Sequence, residues 1–198
     1  MSPSSPSAKL YFGYGSNLWI EQMHSRCPNS HFVGLGRLPG FKWIINERGY
    51  ANVVELAPAA AADNEVWGLI YYLSPLDEAR LDRNEGVPYA YTKEMLPIEF
   101  WPHQLADLDE RIDVTRAPSV RKESLVYIDR KRVTESAPKD EYIVRMNKGI
   151  ADASALGMPN AYVERVMRHF IPAGREMDSL TLRKAQRQAI EFVDENLE

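Results

Sequence analysis

Apolar side chains recur along this chain with two different periods, and the change of period outlines the elements. Leu10 to Tyr14 is a short aromatic and apolar run closed by Gly15-Ser16-Asn17. Beyond it Leu18, Ile20, Met23 and Cys27 recur at roughly helical spacing until Pro28, which predicts a strand, a tight turn and a helix. His31 to Leu38, Phe41 to Asn46 and Tyr50 to Leu56 read as extended segments parted by the turn signals Pro39-Gly40 and Arg48-Gly49, most economically as a meander. Ala57 to Asn64 reads as an Ala-rich, Pro-containing loop. Glu65 to Leu73, EVWGLIYYL, has no polar face, so it is expected as a central strand buried on both sides.

Helix signals stack in SPLDEARLDRNEG. Ser74 suits the N-cap, Pro75 the first helical position, Asp77 and Glu78 the first turn and Gly86 the stop, which places a helix from about Pro75 to Asn84 or Glu85. Lys93 to Trp101 and Glu123 to Asp129 are predicted strands, and the polar stretch Pro102 to Arg121 between them a long loop or hairpin excursion. After Pro138, Asp140 and Glu141 precede the helical stripe Tyr142, Ile143, Met146 and Ile150. Pro159 opens a further helix with Tyr162, Val163, Val166 and Phe170 on one face, ending before Pro172. Ser179 to Leu197 is expected as a last amphipathic helix with Leu182, Ala185, Ala189 and Phe192 inward. Strands fill the first two thirds and helices the last, which argues for an α+β fold. Residues 1–8, Ser and Pro around one Ala after Met1, are expected as a flexible tail, and 9–198 as one domain.

Composition narrows the classes of function. Of 198 residues 44% are hydrophobic and 26% charged, ordinary globular usage with enough apolar material for a core. Lys and Arg number 24 against 28 Asp and Glu, a net charge of −4, so there is no general positive field for nucleic acid. No run approaches the roughly 18 apolar residues of a membrane span, and the N-terminus lacks a basic and apolar export pattern. Membrane partners are not expected. A lone Cys27 allows no internal disulfide and points to a reducing, cytoplasmic setting. His24, His31, His103 and His169 show no ligand spacing, so no metal or other cofactor is expected.

Two features point to chemistry. In Tyr11-Phe12-Gly13-Tyr14-Gly15-Ser16-Asn17 the glycines let a ligand approach the backbone, and a helix start after the turn would offer free N–H groups to a carboxylate or phosphate. The same string also serves as a ligand-free strand-to-helix turn, and the residues alone leave both readings open. Dinucleotide binding does not fit, because GxGxxG would need Gly where Leu18 stands. Gly34, Gly36 and Gly40 miss that spacing too and are assigned to turns. Glu85 is the second feature: an acid at the negative C-terminal end of a helix is wrong for stability, but a carboxyl held there with a raised pKa suits proton transfer near neutral pH. The bland reading is a solvated surface Glu. Cys27 with His24 or His31 as base would make a thiol amidase, against the commoner reading of a packed small hydrophobe.

YFGYGSNL at 11–18, Val66-Trp67-Gly68, Asn84-Glu85-Gly86-Val87 and SAPKDEYI at 136–143 together resemble the γ-glutamylcyclotransferases over about residues 10–171. The resemblance implies a small mixed β-barrel flanked by helices, with a cavity at its mouth where a γ-glutamyl amide is cleaved to 5-oxoproline and a free amine, a lyase or acyl-transfer reaction. By matching position it implies that Tyr11, Phe12, Gly13, Tyr14, Gly15 and Ser16 bind substrate. Asn17 supports that loop, Glu85 is the proton acceptor and Tyr142 contacts the ligand. The excursion over 102–121 is longer than the family pattern, and after Pro88 either Tyr89 or Tyr91 can face the cavity. The amine released, whether an amino acid, cysteinylglycine from glutathione, a lysine side chain or a specialised metabolite, is left open, as is the choice between monomer and dimer. A non-catalytic module using the same glycine-rich turn to hold a small acid is the rival reading.

Overall fold

The computed structural model describes residues 8–103 and 111–193. All but the last residue of the expected tail, the 104–110 part of the excursion and the end of the expected C-terminal helix lie outside the described residues. Five strands close a barrel in the order β1 (Lys9–Gly13), β5 (Glu65–Leu73), β2 (His31–Pro39), β6 (Thr92–Pro102) and β7 (Val120–Ile128). Four neighbouring pairs are antiparallel, and the closing pair, with Tyr11 opposite Leu125, is parallel. This is the small mixed barrel of an α+β fold.

β5 runs between β1 and β2 with Val66, Leu69, Ile70 and Leu73 fully buried, as its unbroken apolar sequence predicts. Only Tyr72 of its aromatic cluster reaches the surface, at 43% exposure. Gly68 is where the barrel wall needs no side chain: a Cβ there would lie 2.5 Å from the Gly13 carbonyl and 2.6 Å from the Phe12 ring. Gly34 and Gly36, assigned from sequence to turns, lie inside β2, with a bulge between Phe32 and Gly34.

The expected meander does not form. Both edges of β2 are taken by β5 and β6, so β3 (Phe41–Ile45) pairs instead with β4 (Ala51–Glu55) as a separate hairpin. The expected loop after it contains a short helix α2 (Pro58–Ala61), with Pro at its start and Ala throughout, the residues a helical turn favours. The described end of the 102–121 excursion is tied back to the body: Ile112 N–H donates to the Leu156 carbonyl at 2.9 Å and the Trp101 indole to the Arg116 carbonyl at 2.8 Å.

The helices set the site. α1 (Ile20–Arg26) follows the turn after β1. α3 (Pro75–Asn84) has the predicted cap, the Ser74 hydroxyl accepting from Asp77 N–H at 3.1 Å, and Gly86 has φ +62° just past its end. α4 (Asp140–Leu156) presses on the turn after β1 through Gly149, where a Cβ would lie 2.9 Å from the Trp19 nitrogen. The helix after Pro159 begins as α5 (Asn160–Tyr162) and widens into a π-turn over Val163–Met167. α6 (Ser179–Ile190) buries Ala185 and Ala189 but leaves Leu182 47% exposed, and Phe192 lies beyond its end rather than on its inner face. No helix among the described residues is long and apolar enough to cross a membrane.

Candidate active site

A cavity opens where the end of β1, the turn after it, the C-terminal end of α3 and the first turns of α4 meet. Tyr11, Tyr14, Gly15, Ser16, Asn17, Glu85 and Tyr142, far apart in sequence, all face it. Phe12 and Gly13 do not. Strand alternation turns the fully buried Phe12 to the other side of β1, against Gly68, and Gly13 pairs opposite Leu69 in the ladder. Of the two tyrosines after Pro88, Tyr89 is 75% exposed, whereas Tyr91 is buried on the cavity wall and donates to the Ala51 carbonyl at 2.7 Å.

Asn17 is the hinge of the arrangement. Its carbonyl oxygen accepts from Gln22 Nε2 at 2.8 Å and from Arg26 Nη1 at 3.1 Å, groups that can only donate. That fixes the orientation of the amide, so its nitrogen must face the other way. There it donates to Tyr11 Oη at 2.8 Å and Glu85 Oε1 at 3.0 Å. Gln22, Arg26, Asn17 and Glu85 thus form one chain of hydrogen bonds with a single direction.

Glu85 is the C-cap of α3, its own N–H bonded to the Leu81 carbonyl, so the helix end aims its side chain at the turn after β1. Among the described residues no ion pair reaches its carboxylate. Burial pushes its pKa up. The charges of Arg26 and Arg48, the Asn17 hydrogen bond and the charge of Arg145 pull it back without cancelling the rise. Burial, rather than the helix end, is the leading cause.

The turn itself differs from the expected anion nest. A single 3-10 turn, Ser16–Leu18, follows Gly15, Trp19 is extended, and α1 starts only at Ile20, so no long helix begins at the cavity. The N–H of Ser16 is engaged: it donates to Tyr142 Oη at 3.2 Å, and Ala51 N–H donates to the same oxygen at 3.3 Å. Among the described residues the hydroxyl hydrogen of Tyr142 has no acceptor, which leaves it for a ligand. Positive charge comes instead from side chains. Arg145 on α4 holds Glu141 through two bonds of 2.8 and 2.9 Å and reaches Ser16 Oγ at 2.9 Å. Arg26 donates to the carbonyls of Gln188 and Ala189 and to Asn17.

Arg26, Gln22, Arg145, Tyr50 and Phe192 were not singled out by sequence. For the first three only position along a helix could have hinted at it, Gln22 and Arg26 one helical turn apart in α1 and Arg145 three residues after Tyr142; their burial is decided by the fold. Cys27, the alternative nucleophile, is fully buried with its thiol 3.6 Å from the Asp77 carbonyl, and burial with the Asp77 charge pushes its pKa up to about 12. It does not line the cavity.

A family model described as gamma-glutamyl cyclotransferase, AIG2-like, matches residues 11–138. The chain is 33% identical over 85 residues to a gamma-glutamylcyclotransferase of Mus musculus and 35% identical over 83 residues to one of Homo sapiens. Each match takes in 39% of this chain and 44% of the relative, so the chain matches less than half the length of these relatives. A solved structure described as a gamma-glutamyl cyclotransferase superposes with a TM-score of 0.65 at 19% identity, covering 91% of this chain and 99% of the other. YkqA from Bacillus subtilis superposes with a TM-score of 0.60 at 18% identity over 83% of this chain and 55% of its own. Those two likenesses are of fold.

Proposed function

The chain belongs to the gamma-glutamyl cyclotransferase, AIG2-like family, and from that premise we propose that residues 9–198 act as one unit that cleaves γ-glutamyl amides to 5-oxoproline and a free amine, with Glu85 moving the proton. The observation that carries this reading is the Glu85 carboxylate itself. It faces the cavity, lacks an ion pair among the described residues, has a raised pKa, and is oriented by an amide whose direction is fixed from behind.

A γ-glutamyl amide holds its own nucleophile, so the protein must fold the substrate, take a proton from its ammonium and deliver one to the departing nitrogen, and stabilise one oxyanion. Glu85 accepts a proton from the α-ammonium. The freed amine nitrogen attacks the γ-carbonyl carbon, forming the ring bond and a tetrahedral oxyanion. As that oxyanion collapses, the bond to the departing nitrogen breaks, Glu85 returns its proton to that nitrogen, and the ring nitrogen, left as NH2+ by the attack, releases its second proton to solvent to give the neutral lactam. The α-carboxylate lies in the field of Arg145 and Arg26 beside the turn at 14–17. Tyr142, accepting two backbone N–H bonds, becomes a stronger donor to the ligand. No nucleophile from the protein enters, consistent with the burial of Cys27 away from the cavity.

The test is a panel of γ-glutamyl amides incubated with the protein and assayed for 5-oxoproline. Turnover of at least one member is expected. Saturable binding with no 5-oxoproline from any member would instead make the protein a module that holds a small acid.

A further inference from the structure

The end of the described chain crosses the cavity mouth, and it is held there by the residues of the site. Arg26 donates to the carbonyls of Gln188 and Ala189, at 2.9 Å for the second. Asn84, the residue before Glu85, accepts from the Phe192 N–H at 2.9 Å. The Gln188 side chain closes the crossing by accepting from Val193 N–H at 2.8 Å and donating to its carbonyl at 3.0 Å. The result is a fixed position for one ring. Phe192 stands edge-on to Tyr50 with centroids 5.0 Å apart, and Tyr50 stands edge-on to Tyr142 at 5.2 Å. Arg145 and Arg26 lie 5.5 and 6.0 Å from the centre of the Phe192 ring.

Resting on the cyclotransferase reading, we propose that Phe192 is the wall against which the departing amine packs, and that it selects substrates with small amine portions. In this reading the constant part of a γ-glutamyl substrate takes the side of the cavity lined by the buried Tyr11, Tyr14 and Tyr142, with its α-ammonium at the part-buried Glu85. The part that varies therefore points to the mouth. There the part-exposed Phe192 and Asn84 stand, joined to each other and to the strut from Arg26. The hydrogen bonds at 84, 188 and 189 hold the backbone that carries the ring, and Tyr50 with two guanidinium groups packs around the ring itself, so bulk on the amine side meets a supported wall. Phe192 is a specificity-determining residue for this site. Its ring also covers Arg26, which holds the Asn17 amide in the direction Glu85 requires.

The experiment compares wild type, Phe192→Ala and Phe192→Leu on γ-glutamyl amides of graded amines, from alanine to phenylalanine to naphthylamine, with 5-oxoproline as readout and a thermal melt for folding. In wild type kcat/KM should fall as the amine grows. Phe192→Ala should raise the ratio of kcat/KM for the largest amine to that for the smallest by about tenfold or more, the scale on which a pocket wall discriminates one or two carbon groups. Phe192→Leu should lie between, and it carries the test if the alanine variant does not fold. A uniform loss across the panel, or no change in the ratio, overturns the wall. No 5-oxoproline from wild type with any member instead overturns the reaction on which the wall rests.

Discussion

Two carboxylates of this protein, Glu99 buried and Glu85 part-buried, have opposite fates. Glu99 on β6 stands opposite Arg37 of β2 on one side and Arg121 of β7 on the other, so the barrel's register lays cation, anion and cation across three strands. Burial pushes its pKa up, but the hydrogen bonds and charges of Arg37, at 2.7 Å, and Arg121, at 3.1 Å, outweigh burial and hold it below the usual carboxylate range. At Glu85 the same contest goes the other way. Arginines surround it, but Arg26 directs its donors to backbone carbonyls and Asn17, and Arg145 directs its own to Glu141 and Ser16. They act on Glu85 through their field alone, and burial wins. A carboxylate with its own cations fastens strands together; one near cations committed elsewhere can exchange a proton.

The largest effect is expected from Glu85→Gln. Turnover should fall roughly 10² to 10⁴-fold, the usual contribution of a positioned proton acceptor, with the fold kept. Stability should move against activity. A folded-state pKa raised above the unfolded one means the folded protein holds the proton more tightly, so stability is lost as pH rises through the folded pKa. The Gln variant should therefore melt at or above the wild-type temperature at neutral pH, with that advantage vanishing at acid pH. A neutral-pH melt clearly below wild type would show Glu85 to be a structural acid like Glu99.

Asn17 comes next in size. Asn17→Ala removes a hydrogen bond that favours the ionised carboxylate, and Asn17→Asp puts a negative group where the amide lies 3.0 Å from Glu85. Both should cost about 10 to 100-fold in kcat/KM, as a small misplacement of a reacting group does. Both should also shift the acid limb of the pH–rate profile upward, more for Asp than for Ala. A loss of rate with the limb unmoved would make Asn17 a packing residue only.

Glu99→Gln is the mirror case, smaller and in stability alone. Its lowered folded pKa contributes stability that is present above the unfolded value and lost as pH falls through the folded one. The variant should lose about 1–2 kcal/mol at neutral pH, or a few degrees of melting temperature in a chain of this size. The difference should shrink toward acid pH, and turnover should be unchanged. A large loss of activity would tie this rim to the reaction.

These contrasts also show what can be read along a chain. Glu85 was legible because its placement is locally wrong: α3 is bounded by Ser74, Pro75 and Gly86, and an acid at its end is a visible misfit. β5 was legible because, Glu65 and Tyr72 apart, it is an unbroken apolar run. The pairing of β3 was not, since which strands occupy the edges of β2 is decided by closure of the barrel 60 residues away in sequence, at β6. Arg26 and Arg145 were missed for a related reason. Each is a charged residue on a helix that reads locally as a solvated face, and only the arrival of residues 188–189 over Arg26, or of Ser16 and Glu141 beside Arg145, makes it part of an interior. The helix start expected just after Asn17, from Leu18, failed because spacing does not tell a 3-10 turn followed by an extended residue from the first turn of a continuous helix.

The smallest expected effect is on Cys27, and its smallness is informative. Cys27 feels the charge of Glu85, both groups are desolvated, and a lone thiol is a natural rival for the chemistry. The thiol, however, is fully buried against the Asp77 carbonyl, and its pKa is pushed up to about 12, so almost none of it is thiolate at pH 8. Iodoacetamide at that pH should leave the folded protein unmodified by mass spectrometry and fully active, while the same reagent in urea should add one group. Stoichiometric labelling of the folded protein with loss of turnover would transfer the chemistry from Glu85 to the thiol. Unchanged turnover leaves the substrate's own amine as the nucleophile, which is what a site built around a proton-exchanging carboxylate requires.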